Sequence, residues 1–319
     1  MAIKVSVVVP TYKRPDLLRR CLDALVAQDL DAADYEVIVA DDAADLATRE
    51  LVEALGAIPQ IRYVAVQGAH GPAAARNRGW RAAVAPIIAF TDDDTVPTPQ
   101  WLRTGIDSLT DEVAGLAGRI VVPLPETPTD FERNMAGLEQ AEFATANCFY
   151  RRSALEAVGG FDERFTSPWR EDADLFFTLT ERGYRLATAP DAVVVHPLRP
   201  GSWAVSLRQQ RQNIFDALLY KKHPELYRRR IPRSGWRYYR IAAAMMAVAG
   251  AALAGAPLLA LLGASAWAAM TSQFLLQRLA GTSRAPRHVA EMLLTSVLIP
   301  PVAIFWRLRG AVKYRVAFL

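Results

Sequence analysis

Three consecutive carboxylates, Asp92-Asp93-Asp94, follow the apolar run Ile87-Ile88-Ala89-Phe90. Carboxylates crowded at the end of a buried strand repel one another, and a divalent metal relieves that repulsion. A hard cation held by one or two carboxylates keeps positions open for phosphate oxygens, as magnesium and manganese do when they hold nucleotide diphosphates. A solvated acidic turn is the other reading of the triplet. Asp41-Asp42 closes a second apolar run, Val37-Ile38-Val39-Ala40, where a carboxylate can accept a base N–H or a ribose hydroxyl, or can cap the next helix. Arg76 and Asn77 lie on a helix before the acidic strand, from which Arg76 can reach a phosphate, the acidic cluster or a surface partner. Glu171-Asp172 opens another helix, a position its dipole favours for acidic groups. A carboxylate ionised there and held against an acceptor hydroxyl would take its proton as the hydroxyl attacks. His196, after Val193-Val194-Val195, reads either as a structural strand-end histidine or as a neutral imidazole ligand to the same metal.

The elements that must position these groups follow from periodicity. Val5 to Val9 is mostly β-branched and bounded by Pro10, which predicts a strand buried on both faces, as in a parallel sheet. Pro15 and Asp16 open a helix whose Leu17, Leu18, Cys21, Leu22, Leu25 and Val26 share one face. Further strands are predicted at 37–40, 61–66 and 87–90, with helices at about 45–55 and 73–83 between them. That alternation implies right-handed crossovers in an open α/β sheet, with ligands beyond the carboxyl ends of the strands. After Trp101 the alternation loosens. The pattern predicts a helix near 101–109, strands near 120–122, 146–150 and 192–195, a loop through Pro123, Pro125 and Pro128, and helices near 172–182 and 203–220. This second half is expected to shape an acceptor site.

In a chain of 319 residues, 37 basic and 33 acidic, the surplus charge is clustered in Arg228, Arg229, Arg230, Arg233, Arg237 and Arg240. Every position from Ile241 to Gln277 is uncharged, longer than the roughly 20 residues one span needs. Pro257 near its middle predicts two short helices or a re-entrant hairpin rather than one rod. A third apolar run from Met292 to Trp306 contains Pro300-Pro301, a second place where a hairpin is expected to turn. Basic clusters beside apolar runs point to anionic lipid and not to nucleic acid. Cys21 and Cys148, with no near-neighbour Cys or His, exclude a disulfide framework and a zinc knuckle. Met1-Ala2-Ile3-Lys4 runs straight into a strand-like stretch, so no cleavable signal peptide is expected.

Six motifs in this order resemble the family 2 glycosyltransferases of the GT-A fold over residues 3 to 220. They are Val5-Ser6-Val7-Val8-Val9-Pro10-Thr11-Tyr12, Val39-Ala40-Asp41-Asp42, Ala75-Arg76-Asn77-Arg78-Gly79, Asp92-Asp93-Asp94, Val158-Gly159-Gly160-Phe161-Asp162-Glu163 and Glu171-Asp172. The resemblance implies an α/β fold with a mostly parallel central sheet flanked by helices, with hydrophobic C-terminal helices added. The apolar and charge pattern places a boundary near Pro232–Gly235, which divides the chain into a transferase domain, 1–232, and a membrane-associated helical region, 233–319. The resemblance also implies that Pro10, Thr11, Tyr12, Arg14, Asp42, Arg76, Asp92 and Asp93 surround a nucleotide-diphosphate sugar, with a UDP-sugar the expected donor. Asp94 and His196 would hold Mn2+ or Mg2+, Asp172 would be the general base, and Glu171, Trp169 and Asn147 would face the acceptor. The expected activity is inverting sugar transfer to a hydroxyl of a lipid-linked or membrane-proximal glycan, at the cytoplasmic membrane with the site facing the cytoplasm. An inactive membrane-tethered nucleotide-sugar-binding scaffold is the alternative. A nucleotidyltransferase is a third, which should carry a glycine-rich phosphate loop where Pro10-Thr11-Tyr12-Lys13-Arg14-Pro15 has no glycine. The sequence departs from the family twice: Asp41-Asp42-Ala43-Ala44 stands for the usual Asp-Asp-Gly-Ser, and Gln209-Gln210-Arg211-Gln212-Asn213 matches Gln-x-x-Arg-Trp only partly.

Overall fold

A computed structural model of the chain describes residues 2–55, 59–231 and 235–318. The chain forms two compact units, one of residues 1–123 and 136–198, the other of 124–135 and 199–319. The first begins with the predicted alternation: β1 (Val5–Thr11), α1 (Pro15–Val26), β2 (Tyr35–Asp41), α2 (Leu46–Ala54), β3 (Gln60–Ala65), α3 (Pro72–Ala82) and β4 (Ile87–Phe90). It continues with β5 (Val96–Pro97), α4 (Trp101–Ser108), β6 (Gly115–Val121), β7 (Cys148–Arg151), α6 (Arg152–Val158), α7 (Glu171–Glu181) and β8 (Leu186–Val195), α5 (Asp130–Met135) belonging to the other unit.

Among the described residues the sheet has eight strands in the order β3-β2-β1-β4-β7-β6-β8-β5. β1 pairs in parallel with β2 and β4, and β2 with β3, so the ends of β1, β2 and β4 open on one edge. β7 runs antiparallel to both β4 and β6, β6 is parallel to β8, and β5 is antiparallel to β8. Val7, Val9, Leu18, Leu22, Leu25, Val37 and Val39 fill the core beneath α1. On the other face α3 lies so close to β1 that a Cβ on Gly79 would stand 2.4 Å from Val8 Cγ1.

Several boundaries differ from the periodic reading. β1 continues through Pro10 because β4 pairs with it only as far as Val8, so at Pro10 only β2 is alongside. β6 starts five residues before Ile120. Its glycines hide the strand from a hydrophobicity pattern, yet close approach demands them: a Cβ at Gly115 would meet the Tyr150 ring at 2.6 Å, and one at Gly118 the Ala192 carbonyl at 2.4 Å.

The second unit is helical: α5, α8 (Val205–Gln209), α9 (Ile214–Lys222), α10 (Pro224–Arg230), α11 (Gly235–Leu253), α12 (Pro257–Leu279) and α13 (Pro286–Tyr314). The uncharged run forms the antiparallel pair α11–α12, with Val248 opposite Gly263 and Ile241 near Phe274. The predicted helix 203–220 is broken, since a 3-10 turn at Gln210–Asn213 separates α8 from α9. The turn expected at Pro300-Pro301 does not form, and α13 runs through both prolines. Each interior proline removes a helix bond at about 3 kcal/mol, but one face of α13 is packed around the prolines, with Ile299, Pro300 and Ala303 buried, and that contact outweighs the loss. α9 packs on α13 so closely that a Cβ at Gly310 would stand 2.5 Å from the Ile214 carbonyl oxygen. For that reason α8–α10 cluster with the C-terminal helices although the sequence reading groups them with 1–232; the boundary read at Pro232 lies outside the described residues. α12 and α13 are long and apolar enough to cross a membrane.

Candidate active site

The acidic triplet leaves β4 with its three side chains sent in three directions. Thr91 and Thr95 hydroxyls bond to each other at 2.7 Å, and Thr95 Oγ1 also lies 2.7 Å from the Asp92 carbonyl, which fixes the turn. Asp93 turns inward, where Thr11 Oγ1 donates to it at 2.7 Å and Arg14 Nη1 lies 3.5 Å away. Burial and the adjacent Asp94 charge push Asp93 up to about 6. Asp94 faces His196, whose Nε2 stands 3.5 Å from Asp94 Oδ1, and Arg14 lies 3.9 Å from its other oxygen. Asp92 points toward α3, where Arg76 Nη2 donates to it at 2.8 Å.

Arg76 is 3% exposed and binds two carboxylates at once, because Nη1 donates to Glu171 Oε1 at 2.9 Å. Its chain neighbour Asn77 ties α3 to residues 158–163: Nδ2 donates to the Phe161 carbonyl and to Glu163, and Oδ1 accepts from Phe161 N and Trp80 Nε1. Phe161 thereby lies beside the guanidinium, 5.8 Å from ring centre to Cζ. Glu171 is buried, its Oε2 has no partner, and burial together with the Asp172 charge pushes it up to about 7 against the pull of Arg76. Asp172 is half-buried and its Oδ1 accepts from Ala173 N at 2.7 Å, a bond that fixes the carboxylate at the first turn of α7. Burial raises its proton affinity, opposed by that N–H and by the charges of Arg76 and Arg170. A carboxylate with raised affinity at a helix start, open on one side, can accept a proton from a bound hydroxyl.

Asp94 and His196 fit a divalent cation. A carboxylate oxygen and an imidazole nitrogen 3.5 Å apart can contact one ion, although His196 Nδ1 is buried without the second hydrogen-bond partner that usually orients a ligating imidazole. The backbone of His196 is fixed by its N–H to the Val121 carbonyl at 2.8 Å. No set of three or more His, Cys, Asp or Glu encloses an ion among the described residues. Two protein ligands with open positions suit an ion shared with phosphate oxygens.

The remaining expected residues separate. Asp42 accepts from Gly71 N at 2.9 Å and from His70 Nδ1 at 3.0 Å, which places it at the loop before α3. Asp41 is the turn-builder, accepting from Ala43 N, Asp45 N and Tyr63 Oη. In that turn Ala44 has φ +49°, the left-handed region a glycine occupies more cheaply. Tyr12 is 55% exposed beyond Pro10 at the end of β1. Trp169 is partly exposed with Arg170 stacked 4.6 Å from its ring centre, just ahead of Glu171. Asn147 is a correction. It is 1% exposed, and its amide donates to the Arg119 and Ala192 carbonyls while its oxygen accepts from Trp101 Nε1, so it braces the sheet instead of facing an acceptor. Thr11 likewise spends its hydroxyl on Asp93. The sequence reading passed over His70 and Arg170; the only signal for either was a neighbour, Gly71-Pro72 at a helix start and Trp169 before the acidic pair.

Residues 6–159 match the family model for glycosyl transferase family 2, and residues 87–306, more than half of the chain, match that for glycosyl transferase family group 2. Glycosyltransferase AglE of Haloferax volcanii is 29% identical over 61% of this chain and 67% of its own length. Validoxylamine A glucosyltransferase of Streptomyces hygroscopicus subsp. jinggangensis is 28% identical over 70% of this chain and 61% of its own. Pre-mycofactocin glycosyltransferase of Mycobacterium tuberculosis is 32% identical over 61% and 43%. The chain thus spans less than two thirds of the last two. Among solved structures, the mannosyltransferase PcManGT from Pyrobaculum calidifontis in complex with GDP-Man and Mn2+ superposes with a TM-score of 0.58 at 20% identity, covering 98% of this chain and 88% of that one. At such identity the likeness is one of fold, the GT-A fold that the motifs imply.

Proposed function

Because this chain belongs to glycosyltransferase family 2, we propose that it moves a sugar from a nucleotide-diphosphate sugar to a hydroxyl acceptor with inversion. The observation that carries the reading is the ion chain Asp92–Arg76–Glu171, buried at Arg76 and Glu171. It fixes the acidic end of β4, the donor side, against the first turn of α7, the acceptor side. Buried ion clusters with unpartnered atoms contribute little to stability, so their position at a strand end favours a role in the reaction.

On this reading Asp172 takes the proton of the acceptor hydroxyl as its oxygen attacks the anomeric carbon. The bond to the diphosphate oxygen breaks on the opposite face, and one displacement inverts the centre. Ala173 N–H and Arg76 keep Asp172 ionised until then. Tyr12, Arg14 and Asp42 ring the donor side, while Trp169 offers the acceptor sugar an exposed ring. A divalent cation, Mn2+ or Mg2+, held by Asp94 and His196 would supply positive charge beside the leaving diphosphate. GDP-Man and Mn2+ accompany the structural neighbour, and UDP-sugars are the donors we favour for this chain. The acceptor is a lipid-linked or membrane-proximal glycan: 1–232 carries the transfer, and 233–319 holds it at the cytoplasmic face of the membrane, where the arginine clusters meet anionic lipid.

The test pairs a donor screen with one variant. Thermal shift across nucleotide sugars with Mn2+ present finds the donor, because a ligand that binds only the folded state raises its stability. With that donor, Asp172→Asn should retain binding and lose transfer by a factor of about 10²–10⁴. Donor binding without transfer by the native protein would establish the scaffold; full turnover by the variant would reduce Asp172 to a helix cap.

A further inference from the structure

The α11–α12 hairpin ends in an apolar, exposed tip. α11 closes in a complete Schellman motif: Ala256 N donates to the Ala251 carbonyl at 2.9 Å, Gly255 N to Ala252 at 3.1 Å, and Gly255 takes φ +66°. Pro257, the first residue of α12, has no N–H to satisfy. That close leaves no donor unsatisfied, as hydrocarbon requires, but α6 ends the same way at Gly159 and Gly160, so the motif permits a dry environment without requiring one. The side chains of the tip favour one. Leu253, Leu258, Leu259, Leu261, Leu262 and Met246 are each more than 60% exposed, and no polar residue lies between Leu253 and Leu262. A hairpin that emerged on the far side of a bilayer would carry a polar loop there.

The polar groups gather at the other end. Trp236, Arg237 and Arg240 start α11, and Gln277 and Arg278 end α12. Tyr238 packs on Phe274 across the pair, which sets both helix bases at one level. From Ile241 to Leu253 the hairpin rises about 18 Å at 1.5 Å per residue, past the middle of a hydrocarbon core of about 30 Å and short of its far side.

α13 suits a span by length and apolarity and also exposes Leu293, Leu294, Phe305 and Val312, but polar contacts bind it to its neighbours at several points. Asp130 N donates to His288 Nε2, Glu291 accepts from Ala204 N, Arg278 reaches Thr295 and Ser296, and Arg307 pairs with Asp216 at 3.3 Å. These anchors join it to α5, α8 and α9 and, through Arg278, to the base of α12; Arg208, Arg211, Lys221 and Lys222, between the start of α8 and the end of α9, would enter hydrocarbon with it.

We propose that this protein is monotopic: the α11–α12 hairpin enters the bilayer from one face and ends inside the hydrocarbon without emerging, and α13 stays outside the hydrocarbon as the scaffold of the second unit. Arg237 and Arg240, exposed at the hairpin base, would meet anionic headgroups. This rests on the membrane part of the proposed function and is independent of the transfer reaction.

The test uses the full chain with a fluorescent nitrobenzoxadiazole label on Leu258→Cys at the tip or Phe305→Cys on α13; Cys21 and Cys148 are fully buried and leave no background. The probe is a vesicle of phosphatidylglycerol and phosphatidylcholine. Labelled protein should float with the vesicles. The Leu258→Cys label should be quenched more by mid-chain than by headgroup nitroxides and resist dithionite from either side, and the Phe305→Cys label should bleach with external dithionite. Bleaching of the tip by trapped dithionite would show a crossing, and deep quenching at Phe305→Cys a spanning α13; either overturns the monotopic arrangement while keeping membrane binding. Rapid external bleaching of the tip on floating protein would move attachment to the arginines alone. Failure to float would defeat the membrane reading itself, and a sedimenting dimer in that case would identify a second copy as the hairpin's partner. Leu258→Glu with Leu262→Glu should cut partitioning by at least about tenfold with donor binding unchanged.

Discussion

Replacing Arg76 by Met tests whether one buried cation holds the two sides of the site together, and the structure gives its cost a pH dependence. Met keeps much of the stem and removes both charge-assisted hydrogen bonds. Asp92 is partly exposed, so water replaces most of what it loses, at about 0–1 kcal/mol. Glu171 is buried and cannot be rehydrated; stranding one member of a buried pair costs about 3–5 kcal/mol. That full cost applies only while Glu171 is ionised. In the native protein its affinity is already raised, to about 7, with Arg76 pulling it down, so the variant raises it further. A carboxyl whose folded pKa exceeds its unfolded value binds more protons when folded, so its contribution falls as pH rises between the two values and levels off above the folded one. The variant's decline therefore continues past pH 7, where the native protein's ends, at up to about 1.4 kcal/mol per pH unit. Urea unfolding without divalent ions should show a deficit of about 1–2 kcal/mol near pH 6, the lost hydrogen bonds and packing, growing to about 3–5 near pH 8.5. Adding Glu171→Gln should flatten that dependence and recover part of the loss at high pH. An equal deficit at both pH values, or a double variant worse than the single one at high pH, would show that a stranded Glu171 charge is not the source of the loss.

Three further outcomes are expected. Asp94→Ala should abolish the dependence of donor affinity on divalent cation and His196→Ala should weaken it less, since phosphate and water oxygens can fill one vacated position; calorimetry with and without EDTA decides, and equal donor affinity in both conditions for the native protein would remove the metal role. Ala44→Gly should raise stability by roughly 0.5–1 kcal/mol, because it relieves a left-handed alanine at an exposed turn and gives back part of the gain as chain entropy; denaturant titration reads the sign. Gly79→Ala should destabilise by about 1–3 kcal/mol through the 2.4 Å approach to Val8, and Val8→Ala in the same chain should restore part of that loss if the clash is the cause.

Much of the first unit was legible in the residues themselves. β1, β2 and β4 are runs of Val, Ile and Ala closed by polar groups, and a strand buried on both faces has to read that way. The three clusters at their ends share one sheet edge because strands joined by helical crossovers run parallel, which brings their carboxyl ends together. Family membership was legible too, since it rests on the order and spacing of short motifs. What the sequence left open depended on partners far along the chain. Arg76 has three readings until the fold sets it between Asp92, 16 residues away, and Glu171, 95 away. Asn147 sits as suggestively in the sequence as Asp172, and only the fold shows that its amide is consumed by Trp101, Arg119 and Ala192. Pro300-Pro301 reads as a turn by local rules, yet α13 passes through it because burial of one helix face around the prolines exceeds two missing hydrogen bonds. Local signals record what a few neighbouring residues prefer; which polar atom remains to meet a substrate is settled by how distant segments satisfy each other first.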